Sequence, residues 1–130
     1  MQELNVKTSQ RNQLLDITAE VAAAVRADSR QEGIVTVFVP HTTAGVLINE
    51  NADPAVCRDL LGKLARLVPE TESFYTHAEG NSDAHLKASL VGHSVQVILE
   101  DGRLRLGVWQ ALYFAEFDGP RQRQVWVKIT

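Results

Sequence analysis

The sequence predicts an α+β fold: a mostly antiparallel, curved or barrel-like sheet with three helices. Three observations carry that prediction. The run Ile34-Val-Thr-Val-Phe-Val39 is apolar and β-branched on both faces, as a central strand requires. Asp53-Pro54 ahead of a long apolar stripe marks a helix start. Asp101-Gly102 and Asp118-Gly119-Pro120 punctuate a second half rich in alternating residues, which predicts consecutive hairpins and a sheet that curls.

In chain order, Leu4, Val6 and Thr8 alternate with polar residues and predict an opening strand. A polar turn over Gln10 to Asn12 leads to a second short strand at Leu14, Leu15 and Ile17. Thr18 is placed to cap a helix running to about Ala27, with Val21, Ala22, Ala24 and Val25 inward and Glu20 in the first turn. Gly33 closes the linker before the central strand, and Pro40 ends that strand. Val46 to Ile48 resume as a strand stopping at Asn49-Glu50-Asn51. The helix after Asp53 carries Val56, Leu60, Leu61, Leu64, Leu67 and Val68 on one stripe, with Asp59 and Lys63 able to pair outside. Cys57, beside the stripe, reads as a packed thiol.

Residues Pro69 to Ser73 form a loop feeding Phe74 and Tyr75. The third helix follows His77 to Asn81, capped by Ser82 or Asp83 and closed by Gly92, with Leu86 beside Leu90 and Ala84 beside Ala88 and Val91. Ser94 to Glu100 and Arg103 to Leu106 form a hairpin, Gly107 permits a bulge, and Ala111 to Phe117 form a strand despite good helix formers. The last run, Arg121 to Ile129, places Arg121, Arg123, Val125, Val127 and Ile129 on one face and Trp126 on the other.

Composition narrows the function. At 130 residues the chain is expected to be one domain, residues 1–130, with a real core. A formal net charge of -3 gives no basic footprint for nucleic acid. No apolar run approaches the ~20 residues that span a bilayer, so no membrane association is expected. The N-terminus lacks the apolar core of a signal peptide, and one cysteine requires no oxidising compartment; a cytoplasmic location is the expectation.

Four segments present polar residues at element ends: His41-Thr42-Thr43, Asn49-Glu50 with Asp53, His77 through His85, and Glu116 with Asp118 to Arg121. Two chemistries fit them. In one, His41, His77 and His85 converge on a divalent metal, with Asn49, Glu50 or Asp53 supplying oxygens. His77 and His85 are too far apart for a two-ligand helix motif, which wants a separation of about four, and could meet only because Gly80 breaks the run. In the other, the histidines are acid–base or hydrogen-bonding groups around a phosphate held by the helix start, Lys87, Arg103 or Arg121. A purely structural role for these residues is the third reading. His93 reads as ordinary surface.

The motifs together resemble one family. His41-Thr-Thr-Ala-Gly, Asn49-Glu50 with Asp53-Pro54, His77-x-x-Gly-Asn-x-x-Ala-His-Leu-Lys87, Gly102-Arg-Leu-x-Leu-Gly-x-Trp-Gln110 and Glu116-x-Asp-Gly-Pro-Arg121 match the YjbQ family (UPF0047) in order and spacing, from about Leu4 to Ile129. The resemblance implies a compact α+β homotrimer with its polar site near subunit contacts. It also implies a secondary thiamine-phosphate synthase activity, which joins a pyrimidine diphosphate to a thiazole phosphate and releases pyrophosphate. On that basis His77, Asn81, His85 and Glu116 are the expected catalytic residues, and Lys87, Arg121 and Asn49 the expected phosphate ligands. His41, His77, His85, Asp53 and Glu50 would hold a divalent metal, Mg²⁺ or Zn²⁺. The alternative is a non-catalytic homotrimer that binds metal or phosphate.

Overall fold

The computed structural model describes all 130 residues. Eight strands and three helices follow in the order β1 (Gln2–Lys7), β2 (Gln13–Asp16), α1 (Thr18–Arg26), β3 (Gly33–Phe38), β4 (Ala44–Glu50), α2 (Pro54–Leu67), α3 (Ser82–Val91), β5 (Ser94–Glu100), β6 (Arg103–Leu104), β7 (Gln110–Glu116) and β8 (Gln122–Ile129). The α+β class, the three helices and the curled antiparallel sheet are as expected. The sheet is a half-barrel in two parts: five strands in the order β1-β8-β3-β5-β6 and three in the order β2-β7-β4. Every pairing is antiparallel. No helix is long and apolar enough to cross a membrane.

The main core lies between the two parts of the sheet. Val35 and Val37 of β3, Val125 and Val127 of β8, and Val97 and Leu99 of β5 meet Val46 of β4 and Leu112 and Phe114 of β7, and α1 closes one side with Val21, Ala24 and Val25. A smaller cluster covers the other face of the three-stranded part, where Ala84 and Ala88 of α3 pack on Ala115 and Phe117. Strand β7 is therefore covered on both faces, and residues 111–117 are all buried. That burial overrides the helix propensity of its alanines.

The hairpin expectation fails at Asp118-Gly119-Pro120. Strands β7 and β8 lie in different parts of the sheet, and this segment, with a cis Gly119-Pro120 bond, carries the chain from one to the other. The reason is local. Arg121 N–H donates to the Thr8 hydroxyl and Thr8 N–H to the Arg121 carbonyl, so the departing chain is paired with the end of β1 rather than with β7. The hairpin at Asp101-Gly102 does form, with both residues left-handed at φ 52° and 71°. Its return strand is only Arg103–Leu104, shorter than expected.

Helix caps differ in detail. Asp53 caps α2 as expected, accepting Ala55 N–H at 2.9 Å. Thr18 is the first residue of α1 rather than its cap. Its hydroxyl donates to Asp16 at 2.6 Å and accepts Leu112 N–H at 2.9 Å, tying α1 to β7. Neither Ser82 nor Asp83 caps α3; Asn81 holds that position without a side-chain cap bond. Gly92 ends α3 at φ 97°, and its carbonyl accepts Val46 N–H. The α2 stripe is only partly covered, with Leu61 and Leu64 packed on the small cluster and Leu67 61% exposed. Asp59 and Lys63 form no ion pair.

Helix α3 approaches β4 at Gly45, where an added Cβ would sit 2.4 Å from the Gly92 carbonyl oxygen. Gly45→Ala is expected to cost about 2 kcal/mol by overpacking. Gly62→Ala, at an open helix position, should instead stabilise by up to about 1 kcal/mol. Denaturant midpoints of the two variants check this, and equal midpoints would show that α3 does not press on β4.

Candidate functional site

Three of the six passages of the chain between the two parts of the sheet are direct crossings that meet, through residues 8–12, 39–43 and 117–121. All three crossings lie at the same end, because Ala44 and Gln13 both face Glu116 and Lys7 faces Gln122. Most of the expected site residues gather there, together with the start of α3.

At the centre of that end Glu116 is fully buried. Its carboxylate accepts from Arg123 Nε at 2.9 Å, Arg123 Nη2, the Thr8 hydroxyl at 2.8 Å, and the N–H groups of Phe117 and Asp118 at 3.1 Å each. Arg123 Nη2 also donates to Thr43 at 2.8 Å. Burial alone would raise the Glu116 pKa, but the hydrogen bonds from Arg123, Asp118 N–H and Thr8 outweigh it and hold the carboxyl below its ordinary value. A carboxylate so fully engaged has no lone pair left for proton transfer. Glu116, expected to be catalytic, is a clamp joining the three crossings.

Beside it lies a second network. Asp83, fully buried on α3, pairs with Lys87 at 2.9 Å and with Arg11 at 3.0 Å. Asp118 accepts from Asn81 at 2.8 Å and from Arg121 at 3.0 Å. Burial would raise the Asp118 pKa, yet Asn81, Arg121 and Arg11 bring it below the usual value. Lys87, expected to hold phosphate, is buried and committed to Asp83. Asn81 is also buried, and its Oδ1 has no partner. Arg121 remains half-exposed.

The histidines separate into two groups. His77 and His85 meet edge to face, with ring centroids 5.2 Å apart at 88°. They line an open cleft of about 380 Å³ with Phe74, Tyr75, Ser82 and Leu86. The sharp return at Gly80, φ 71°, folds the loop so that these residues, eight apart in sequence, can touch. The N–H groups of Ser82 and Asp83, first in α3, find no acceptor in the chain and carry the positive end of its dipole. Glu79 lies 3.8 Å from His77 Nε2.

His41 is elsewhere, in a separate cleft with His93 and Arg123. Its Nε2 accepts Gln124 N–H at 2.9 Å. Burial and then the Arg123 charge lower its pKa, favouring the neutral ring. The remaining candidates lie farther still. Asn49, Glu50 and Asp53 sit at the opposite end of β4, six residues or ~20 Å along the strand from the Glu116 end. There Asn49 accepts Glu50 N–H, and Asp53 serves as the α2 cap. Within one chain no three His, Cys, Asp or Glu side chains assemble a metal-holding group.

Arg11 and Arg123 lie outside the candidate segments, and Asp83 and Asp118 fall inside them without an assigned role. Two of them had a readable signal. Arg123 falls in register with Val125, Val127 and Ile129, so a cation on the core face demanded a buried anion. Asp83 shares the inward face of α3 with Ala84, and Lys87 follows it at helical spacing.

Two predictions follow from this chemistry. Glu116→Gln leaves Arg123 buried without its counter-charge and is expected to cost about 3–5 kcal/mol in chemical denaturation. Stability should also fall on acidification in two stages. His41, with a lowered folded pKa, contributes fully above about pH 6.5, and that contribution is lost as pH falls from there. Glu116 and Asp118, with depressed folded pKa values, lose theirs as pH falls below the ordinary carboxylate values of 4.5 and 3.8. Unfolding curves against pH should show the first stage abolished in His41→Gln and the second retained.

Comparison with known proteins agrees with this architecture. The family model described as UPF0047 protein YjbQ-like matches residues 2–130. A UPF0047 protein of Methanocaldococcus jannaschii is 52% identical over 124 residues, covering 95% of this chain and 89% of its own. The Bacillus subtilis protein YugU is 46% identical over 129 residues, 99% and 98% of the two chains. A crystal structure of a YjbQ/UPF0047 protein from Clostridium acetobutylicum superposes with a TM-score of 0.97 at 53% identity and full coverage of both chains. A protein of Sulfolobus solfataricus, described as of unknown function, gives 0.93 at 31% identity, covering 98% of this chain and 94% of its own.

Proposed function

The chain belongs to the UPF0047 YjbQ-like family, whose function is uncharacterised, and from that premise we propose that it is an enzyme acting on a phosphate- or diphosphate-bearing small molecule at the His77–His85 cleft. Thiamine-phosphate formation is the activity to measure. The observation that carries the reading is the edge-to-face imidazole pair in one cleft with Ser82, whose N–H at the start of α3 has no acceptor in the chain. Such a group of donors suits a phosphate oxygen. Phe74, Tyr75 and Leu86 give the same cleft an apolar wall for the body of the ligand.

In that reaction the bond from the pyrimidine methylene carbon to the diphosphate oxygen breaks, and the thiazole nitrogen forms the new bond to that carbon. Pyrophosphate leaves with the bonding electrons, so the protein's task is to meet developing negative charge. The N–H group of Ser82 and the rings of His77 and His85 donate to the departing oxygens. Arg121, tethered by Asp118 to Asn81, adds a cation beside the helix start. The donors of one chain do not fit a resident metal, since His41, Glu50 and Asp53 lie away from the His77–His85 pair. A divalent metal would have to be held between copies.

The exposed apolar side chains support a homotrimer as the working form. Leu67, Phe74, Leu86 and Leu90 are 45–67% exposed on or beside α2 and α3, apolar surface that contact with further copies would cover. Leu67→Glu should shift the mass in light scattering from trimer to monomer, and a monomeric wild type would refute the assembly.

His77→Ala and His85→Ala are each expected to lower the rate of thiamine phosphate formation from the two phosphorylated precursors by about 10²-fold or more. Rates equal to wild type in both would remove the cleft from the chemistry. Stoichiometric metal in protein purified without chelator or tag would favour the metal-binding alternative.

A further inference from the structure

The second cleft, at the crossing end, is also about 380 Å³ and has a different chemical character. Arg123 forms part of its lining and is itself only 7% exposed. Its Nε and Nη2 are fully used by Glu116 and Thr43, whereas Nη1 makes no hydrogen bond in the chain and is not sealed from solvent. His41 lines the same cleft. Because its Nε2 accepts from Gln124, the neutral ring carries its proton on Nδ1 as a second free donor. Thr42 adds a hydroxyl, and no carboxylate lines the cleft. On its apolar side stands Phe38, 40% exposed, with Trp126 stacked behind it at 5.8 Å and 27°.

We propose that this cleft is a binding site for a small planar carboxylate, whose ring packs on Phe38 and whose oxygens accept from Arg123 Nη1 and His41 Nδ1. Arg123 Nη1 is free of partners in the chain and reaches the cleft from a side chain nine-tenths buried, so a carboxylate there would replace water with a charge-assisted hydrogen bond. Charge balance selects the class. The Arg123 cation already faces the Glu116 anion, and His41 is neutral, so the cleft offers several donors and little net positive charge. One carboxylate is matched by those donors, whereas a dianionic phosphate ester would bring a second negative charge that only the ring of His93, also on the lining, could face. A neutral amide would gain hydrogen bonds without the charge-assisted contribution. The site is separate from the His77–His85 cleft and stands whether or not that reading holds.

Trp126 gives the readout, since Gln124 links its indole N–H to the backbone that binds His41. In the full-length protein carrying Trp109→Phe, which leaves Trp126 as the sole tryptophan, benzoate should change the fluorescence in a saturable way. Benzamide and phenyl phosphate should bind at least tenfold more weakly. His41→Ala and Phe38→Ala, both at surface-reaching positions, should each weaken benzoate at least tenfold. A signal that does not saturate, one unchanged in both variants, or phenyl phosphate binding as tightly as benzoate would overturn the proposal.

Discussion

The buried pair of Glu116 and Arg123 is the contact on which the rest of this structure depends. Glu116 ends β7 in the three-stranded part, and Arg123 begins the buried run of β8 in the five-stranded part. Thr8 and Thr43, from the other two crossings, complete their hydrogen bonds. A desolvated ion pair contributes less net stability than its Coulomb attraction implies, but removing either partner leaves a charge stranded in the core. The three crossings are thus fixed relative to one another by mutual need more than by energy gained. Everything else at that end, including the start of α3 and both clefts, takes its position from them.

This division explains why polar residues that look alike in sequence do different work. Glu116, Asp83 and Lys87 are buried and answered within the chain, so they hold the scaffold. His77, His85 and Ser82, the first residue of α3, line an open cleft, and the Ser82 N–H finds no acceptor in the chain. Chemistry belongs with the second set. The phosphorylated substrate proposed above would draw on those donors.

Much of the fold was legible because local signals and burial agree. Asp53-Pro54, Asp101-Gly102 and the Ile34–Val39 run each specify one element, and the structure contains all three. Residues 111–117 were legible as a strand only because the turn after them demanded it; two-sided burial is the physical cause. What could not be read was the partner of each strand. A turn signal such as Asp118-Gly-Pro says that the chain reverses, not which strand receives it, and here Thr8 settles that from a hundred residues away. The candidate site was misjudged for the same reason. Asn49, Glu50 and Asp53 are near His41 in sequence, yet β4 runs its full length between them. Lys87 looked available until Asp83, one helical turn earlier, was found buried against it.

In the proposed function the His77–His85 pair, and not the network around Glu116, meets a phosphate-bearing ligand. The most direct test is an NMR titration of the histidine ring signals with inorganic pyrophosphate. The rings of His77 and His85 should shift in a saturable way while those of His41 and His93 stay in place. Shifts confined to His41 and His93, or no saturable shift at any histidine, would contradict the proposed function.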